Sequence, residues 1–209
     1  MCVKIALHLD TRKKIQETAT ELFMTYGIRT VTMDEIAKRL SVSKKTIYQE
    51  FKDKDELVSE VTKEMLEEDI CVFHQLEGEA ENILEHFYKV SKYMRTRFNK
   101  VNPSVLFDLE RYHPKAYQLF KDFKEKHLKD TIRKTLEKGI ELGYFRDDIN
   151  PEILSVLRVD QMQLAFNISN FPMEKFNFGE VQGQIFDHFV HGILTDNGRK
   201  IYEQYIKQS

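Results

Sequence analysis

Residues 32–57, TMDEIAKRLSVSKKTIYQEFKDKDEL, hold two short runs of helical periodicity separated by a break that leaves room only for a tight turn. Thr32 is placed to cap the first run, because its hydroxyl can accept from the following turn while Glu35, three residues on, reaches back to the cap. Ile36, Ala37 and Leu40 form the apolar stripe of that helix, and Ser41-Val42-Ser43 ends it. Ser43 is a second N-cap, and the run it opens carries Ile47 and Phe51 four residues apart, on one helical face. Two short helices joined by a three- to four-residue turn make a helix-turn-helix, the motif that lays its second helix in a DNA major groove.

The second helix opens with Lys44, Lys45 and Thr46. Its first turn already favours anions through free N–H groups and the positive dipole end, and a lysine there reaches guanine O6 or N7. Tyr48 and Gln49 follow on the outward arc. Paired lysines on a short helix are most often a solvated face, but here cap, turn, cap, basic turn, aromatic and apolar anchor share one register, which selects the DNA reading.

These residues resemble the N-terminal DNA-binding domain of the TetR/AcrR family of bacterial transcriptional regulators. The resemblance covers about the first sixty residues: Thr20-Glu21-Leu22-Phe23 with Tyr26-Gly27, then Thr32, Ile36-Ala37, Val42-Ser43, Thr46-Ile47-Tyr48, Phe51, and Lys54 to Leu57. It implies that Thr32, Thr46, Tyr48 and Lys54 hold phosphates, that Lys44, Lys45 and Gln49 face base edges, and that Ser43 stands with them at the start of the reading helix. Glu50 departs from the pattern, since the family has histidine or tyrosine there. A carboxylate near phosphates is expected to cost affinity unless Lys52 or Lys54 neutralises it.

The 209 residues carry a formal net charge of −2, so a nucleic-acid surface has to be local. Residues 1–56 sum to +2 and residues 57–209 to −4, an asymmetry of the expected sign. Cys2 and Cys71 form no CxxC pair, which argues against a disulfide framework and fits a reducing, cytoplasmic setting. No apolar run approaches the ~18 residues of a membrane span, so no membrane partner is expected. MCVKIALHL is read as an N-terminal arm over residues 1–10 and not as a signal peptide.

In chain order the periodicity predicts a first helix over Thr11–Tyr26 stopped by Gly27, then the two short helices, then a long one from Asp53 to about Leu76. Ala80–Phe98 is helical, and Pro103 ends the connection after it. Pro114 opens a long amphipathic segment closing near Gly143. Asn150-Pro151 caps a helix to about Ser169, and helices from about Gly179 to Leu194 and on to Lys207 complete the chain. Sustained 3.6-residue periodicity with only four prolines points to an all-α protein. The expected division is a helix-turn-helix domain over 1–56 and a helical ligand-binding and dimerisation domain over 57–209.

Enzyme chemistry is not evident. Glu110 and His113 have the Glu-x-x-His spacing of di-iron bundles but lack the second pair and the extra carboxylates, and His188 with His191 lack a third ligand. No P-loop, GxGxxG or GxSxG occurs, so neither a cofactor nor a metal is expected.

By the resemblance, the C-terminal part holds a small-molecule pocket and a dimer surface. Its large soft side chains are the pocket candidates: Phe87, Met94, Phe98, Phe107, Phe120, Phe123, Met162 and Phe166, with Arg97 and Arg158 near them in sequence. The last two major helices are apolar over a wider arc than one packing face needs, which nominates Leu157, Leu164, Ile185, Phe189, Gly192 and Ile193 for a homodimer interface. The resemblance thus implies a dimeric repressor of a palindromic double-stranded operator, released by a small apolar or aromatic effector. A second reading, a helical carrier or enzyme with a vestigial DNA-binding head, rests on the near-neutral charge of the head and on Glu50.

Overall fold

Helical spacing with few breakers builds helices throughout. The computed structural model describes residues 2–207, the side chains of residues 2–10 excepted. In order these are α1 (Cys2–Tyr26), α2 (Met33–Arg39), α3 (Lys44–Glu50), α4 (Lys54–Glu79), α5 (Ile83–Phe98), α6 (Ser104–Tyr112) and α7 (Pro114–Phe123). A π-helical turn over Lys124–Leu128 joins α7 to α8 (Lys129–Glu141), and α9 (Pro151–Leu164), α10 (Phe178–Ile193) and α11 (Asp196–Lys207) follow. Among the described residues the only extended pairing is an isolated bridge between Phe145 and Leu194. The chain is all-α, as its periodicity predicts.

Several boundaries differ from the sequence reading. With no glycine or proline in residues 2–26, α1 continues back through the segment read as an arm. The connection after Pro103 folds as α6, nine residues that the prolines at 103 and 114 made look like a loop. Turns over residues 165–177 end α9 at Leu164.

The chain forms two compact units: residues 1–67 with 100–121, and residues 68–99 with 122–209. Packing thus groups the chain differently from the expected division at 56/57. In the first unit Ile15, Ala19 and Phe23 of α1 form a core with Ile36, Ile47, Phe51 and Leu57, joined by Val105, Leu109 and Ala116. Asp108 of α6 accepts a hydrogen bond from the Arg29 N–H at 2.9 Å, and the Asn102 N–H donates to the Met24 carbonyl at 2.6 Å. His113 Nδ1 meets Asp55 Oδ1 in the first turn of α4 at 2.6 Å.

In the second unit Leu84, Leu136, Phe145, Val190 and Tyr202 are sealed from solvent. Side-chain caps define its helix starts: Asn82 for α5, Asn150 with Pro151 for α9, and Asn177 for α10. Asp69, on the part of α4 that belongs here, takes the Arg97 guanidinium at 2.8 Å and the Tyr93 hydroxyl at 2.7 Å.

Gly27 stops α1 at φ 84°, its N–H donating to the Phe23 carbonyl. A Cβ built there would lie 2.7 Å from Ser104 Oγ and 3.3 Å from Asp108 Oδ2. Gly27→Ala should therefore cost about 1–2 kcal/mol in backbone strain and loosen α6 as well, read as a lower urea midpoint for the full chain.

Candidate nucleic-acid interface

Helix α3 is set by its two ends. The Ser43 hydroxyl accepts from the Thr46 N–H at 3.1 Å, and Ile47 and Phe51 are fully buried. Before it, Thr32 and Glu35 form the expected capping box on α2: the Glu35 N–H donates to the Thr32 hydroxyl at 3.2 Å, and the Thr32 N–H to Glu35 Oε2 at 2.6 Å. The Thr32 N–H and the Thr32 hydroxyl both donate to the Glu35 carboxyl and hold it below its ordinary pKa. Between the helices Ser41 adopts φ 56° to turn the chain. On α1 the Arg12 guanidinium lies 4.1 Å from the centre of the Phe51 ring, donates to the Glu50 carbonyl and pairs with Glu56 at 3.4 Å. The last residues of α3 and the first turn of α4 are thereby tied to one side chain.

With Ile47 turned in, Thr32, Ser43, Lys44, Lys45, Tyr48 and Gln49 are exposed and Thr46 is partly so. Lys44 Nζ pairs with Asp34 at 2.8 Å, and the hydrogen bond and charge of Asp34 raise the lysine pKa. The same ammonium stands 5.9 Å from the Tyr48 ring. The surface offers two cations, hydroxyls, an amide and an aromatic edge from one helix, the donor set that phosphates and major-groove base edges accept.

Two placements correct the sequence reading. The Lys54 ammonium turns inward and donates to the carbonyls of Ile28, at 2.6 Å, and Val31. It serves the loop ahead of α2 and is not free for phosphate; burial lowers its pKa. Glu50, expected beside phosphates, is 8% exposed and packs inside the first unit. No local pattern announces either placement: the carbonyls that hold Lys54 lie more than twenty residues away, and Glu50 is enclosed by the packing of the unit.

The pocket candidates separate. Phe87, Met94 and Met162 line one apolar cavity of about 90 Å3 in the second unit, together with Phe73, Phe186, Phe189 and Arg158. Phe123 lines a wider cleft of about 600 Å3 that shares Phe73, His86 and Leu128 with that cavity. Phe98 and Phe166 pack edge-on with each other and with Phe178, at centroid distances of 5.8, 5.2 and 4.7 Å. Phe107 and Phe120 lie in the first unit, Phe107 exposed beside Tyr112 and Phe120 stacked on Tyr117. These two are therefore no part of the cavity that Phe87 lines.

Of the interface candidates, Leu157 and Leu164 are exposed, along with Ile153 and Val156 of the same helix. Ile185 is half-buried and Gly192 faces open space. Phe189 and Ile193 point into the chain's own core, which corrects their assignment to a partner-facing surface. No helix of the described chain is long and apolar enough to cross a membrane.

Residues 15–61 match the family model described as bacterial regulatory proteins, tetR family. The uncharacterised HTH-type transcriptional regulator YhgD of Bacillus subtilis is 27% identical over 155 residues, 70% of this chain and 78% of its own. Among solved structures, a transcriptional regulator of the TetR family from Agrobacterium tumefaciens superposes with TM-score 0.76 at 16% identity, over 90% of this chain and all of that one. A putative transcriptional regulator from Saccharomonospora viridis, solved in complex with choline, gives TM-score 0.72 at 18% identity, over 89% and 98% of the two chains.

The Lys44–Asp34 pair is exposed on both sides and therefore weak, so removing Asp34 should free the cation. Asp34→Asn should tighten binding to a non-specific duplex about 2- to 5-fold at low salt, and Glu50→Gln should change it far less. Fluorescence anisotropy across a salt series separates the two.

Proposed function

Because the chain belongs to the TetR family of DNA-binding transcriptional regulators, we propose that it acts as a dimeric repressor that reads a palindromic operator through α3 and leaves it when a small molecule enters the second unit. The observation that carries this reading is the outward arc of α3: Lys44, Lys45, Tyr48 and Gln49 are exposed while Ile47, on the opposite side, is fully buried. Lys45 has the clearest path to a base edge, since Lys44 starts from its pair with Asp34. Thr32, Ser43, Thr46 and Tyr48 supply hydroxyls to the backbone phosphates on either side.

Support for dimerisation comes from α9. Ile153, Val156, Leu157 and Leu164 expose an apolar stripe at helical spacing, and a second copy related by a two-fold axis would cover it. Two copies present two α3 helices, which dock in successive major grooves only when they stand about 34–36 Å apart. Helix α4 carries residues of both units, so a change around its second half alters the course of the helix that begins just after α3. The effector-bound state is the one whose spacing does not fit DNA. That a neighbour of the same fold was solved in complex with choline supports a small-molecule effector without selecting its chemistry.

Genomic fragments captured by the purified chain and sequenced should be enriched in one palindrome; uniform recovery of fragments would sink the reading. Lys45→Ala should lose about 1–3 kcal/mol of discrimination between that palindrome and a scrambled duplex, measured as the ratio of the two dissociation constants. Leu157→Glu should yield a monomer by sedimentation velocity that binds a half-site but not the full site cooperatively. An effector that weakens operator binding by some factor must itself be bound that much more weakly by the operator complex, a reciprocity that titration calorimetry can measure.

A further inference from the structure

The cavity in the second unit is lined mostly by apolar side chains, and two of the polar groups in its wall are unsatisfied. Arg158, on α9, is 7% exposed, and its Nη1 is buried without a hydrogen-bond partner. No ion pair of Arg158 occurs among the described residues. Asp160 on the same helix is exposed, and Asp187 on α10 pairs with Arg95 at 3.1 Å. The guanidinium lies over the rings of Phe186 and Phe189, 5.0 and 5.8 Å from their centres. Ring contacts return only part of what it costs to strip water from a guanidinium. Burial pushes the Arg158 pKa down to about 10, which leaves it cationic at neutral pH. The second group is His86, whose Nε2 is likewise buried without a partner. Burial lowers its pKa as well, so the imidazole is neutral at pH 7 and able to present Nε2–H.

A buried cation with no counter-charge, walled by Phe87, Met94 and Met162, is a half-built ion pair. On the reading of this chain as an effector-controlled regulator, we propose that the effector is a monocarboxylate with an apolar alkyl or aryl body, its acid group seated on Arg158 and within reach of His86. One guanidinium beside a neutral imidazole balances one negative charge; a phosphate dianion would bring a surplus charge into apolar walls. The planar fork of arginine matches the two oxygens of a carboxylate. The inner cavity, about 90 Å3, takes the acid and the first atoms of the body. The remainder extends past His86, Leu128, Thr131 and Thr135 into the cleft of about 600 Å3 whose wall shares those residues. The π turn over Lys124–Leu128 lies in that wall, contributing His127 and Leu128.

The probes are octanoate and 3-phenylpropionate, each set against its neutral amide, titrated by calorimetry into the full chain and into Arg158→Leu and Arg158→Lys. The acids should bind the unaltered protein at least about tenfold more tightly than the amides. Arg158→Leu should lose about 10- to 100-fold in acid affinity with the amides unchanged, and Arg158→Lys should fall between. Arg158→Leu removes an uncompensated buried charge, so without ligand it should melt at or above the temperature of the unaltered chain, which guards against a folding artefact. Equal affinity for acids and amides, acid binding intact in Arg158→Leu, or no saturable acid binding up to about a millimolar would each overturn the proposal. Operator anisotropy in the same samples keeps the two readings apart. Acids that bind through Arg158 yet leave operator affinity unchanged would sink release by effector and leave the carboxylate site standing. Release by a neutral compound from both the unaltered protein and Arg158→Leu would do the reverse.

Discussion

A seven-residue helix does not hold itself together in water. Nucleation costs more than one further turn returns, so α3 exists only because the rest of its unit imposes it. Ile47 and Phe51 do most of this by sinking into the core made by Ile15, Ala19 and Phe23. Arg12 then fixes the exit from α3 by bonding the Glu50 carbonyl, covering Phe51 and pairing with Glu56. Lys54 settles the entry to α2 by gathering the Ile28 and Val31 carbonyls. Charged residues that look like a DNA-facing set in sequence are thus split between two tasks, and those that organise the backbone are the ones with buried polar partners.

That split explains which features the sequence displays. Caps are local: Thr32 with Glu35, Ser43, and Asn150 with Pro151 are legible because donor and acceptor lie within three residues of each other. Helical periodicity is also local, and it yields the all-α class. Partners distant in the chain leave no such trace. The Lys54 ammonium is held by carbonyls 23 and 26 positions away, and Glu50 is buried in a unit whose core is drawn from distant stretches of the chain. Helix α6 is the sharper case, because it buries Asp108 against the Arg29 N–H and exposes Phe107, the reverse of what hydrophobicity suggests. Helices α9 and α10 are both apolar around a wide arc, yet α10 spends Phe189 and Ile193 on the chain's own core while α9 leaves Leu157 and Leu164 outside.

The second unit contrasts two arginines, Arg97 partly buried and Arg158 buried. Arg97 faces Asp69, which also receives the Tyr93 hydroxyl, so the charge is met inside the protein. Burial still raises the Asp69 pKa, with Arg97 opposing it. Arg158 meets only aromatic faces. The residue type is the same in the two sites; they differ in whether the fold supplies an anion. A search of the sequence for arginines near aromatics finds both and distinguishes neither.

The first unit is assembled from two separate stretches of chain, residues 1–67 and residues 100–121, with part of the second unit spelled out between them. A ribosome therefore finishes the helix-turn-helix some sixty residues before it finishes the core that Val105, Leu109 and Ala116 complete. Grafting this head onto another regulator is for the same reason not a single cut. A chimera joined once, after α3 or midway along α4, would transplant the reading surface but leave behind Asp108, Asn102 and His113, the three residues through which α6 and its flanks hold it.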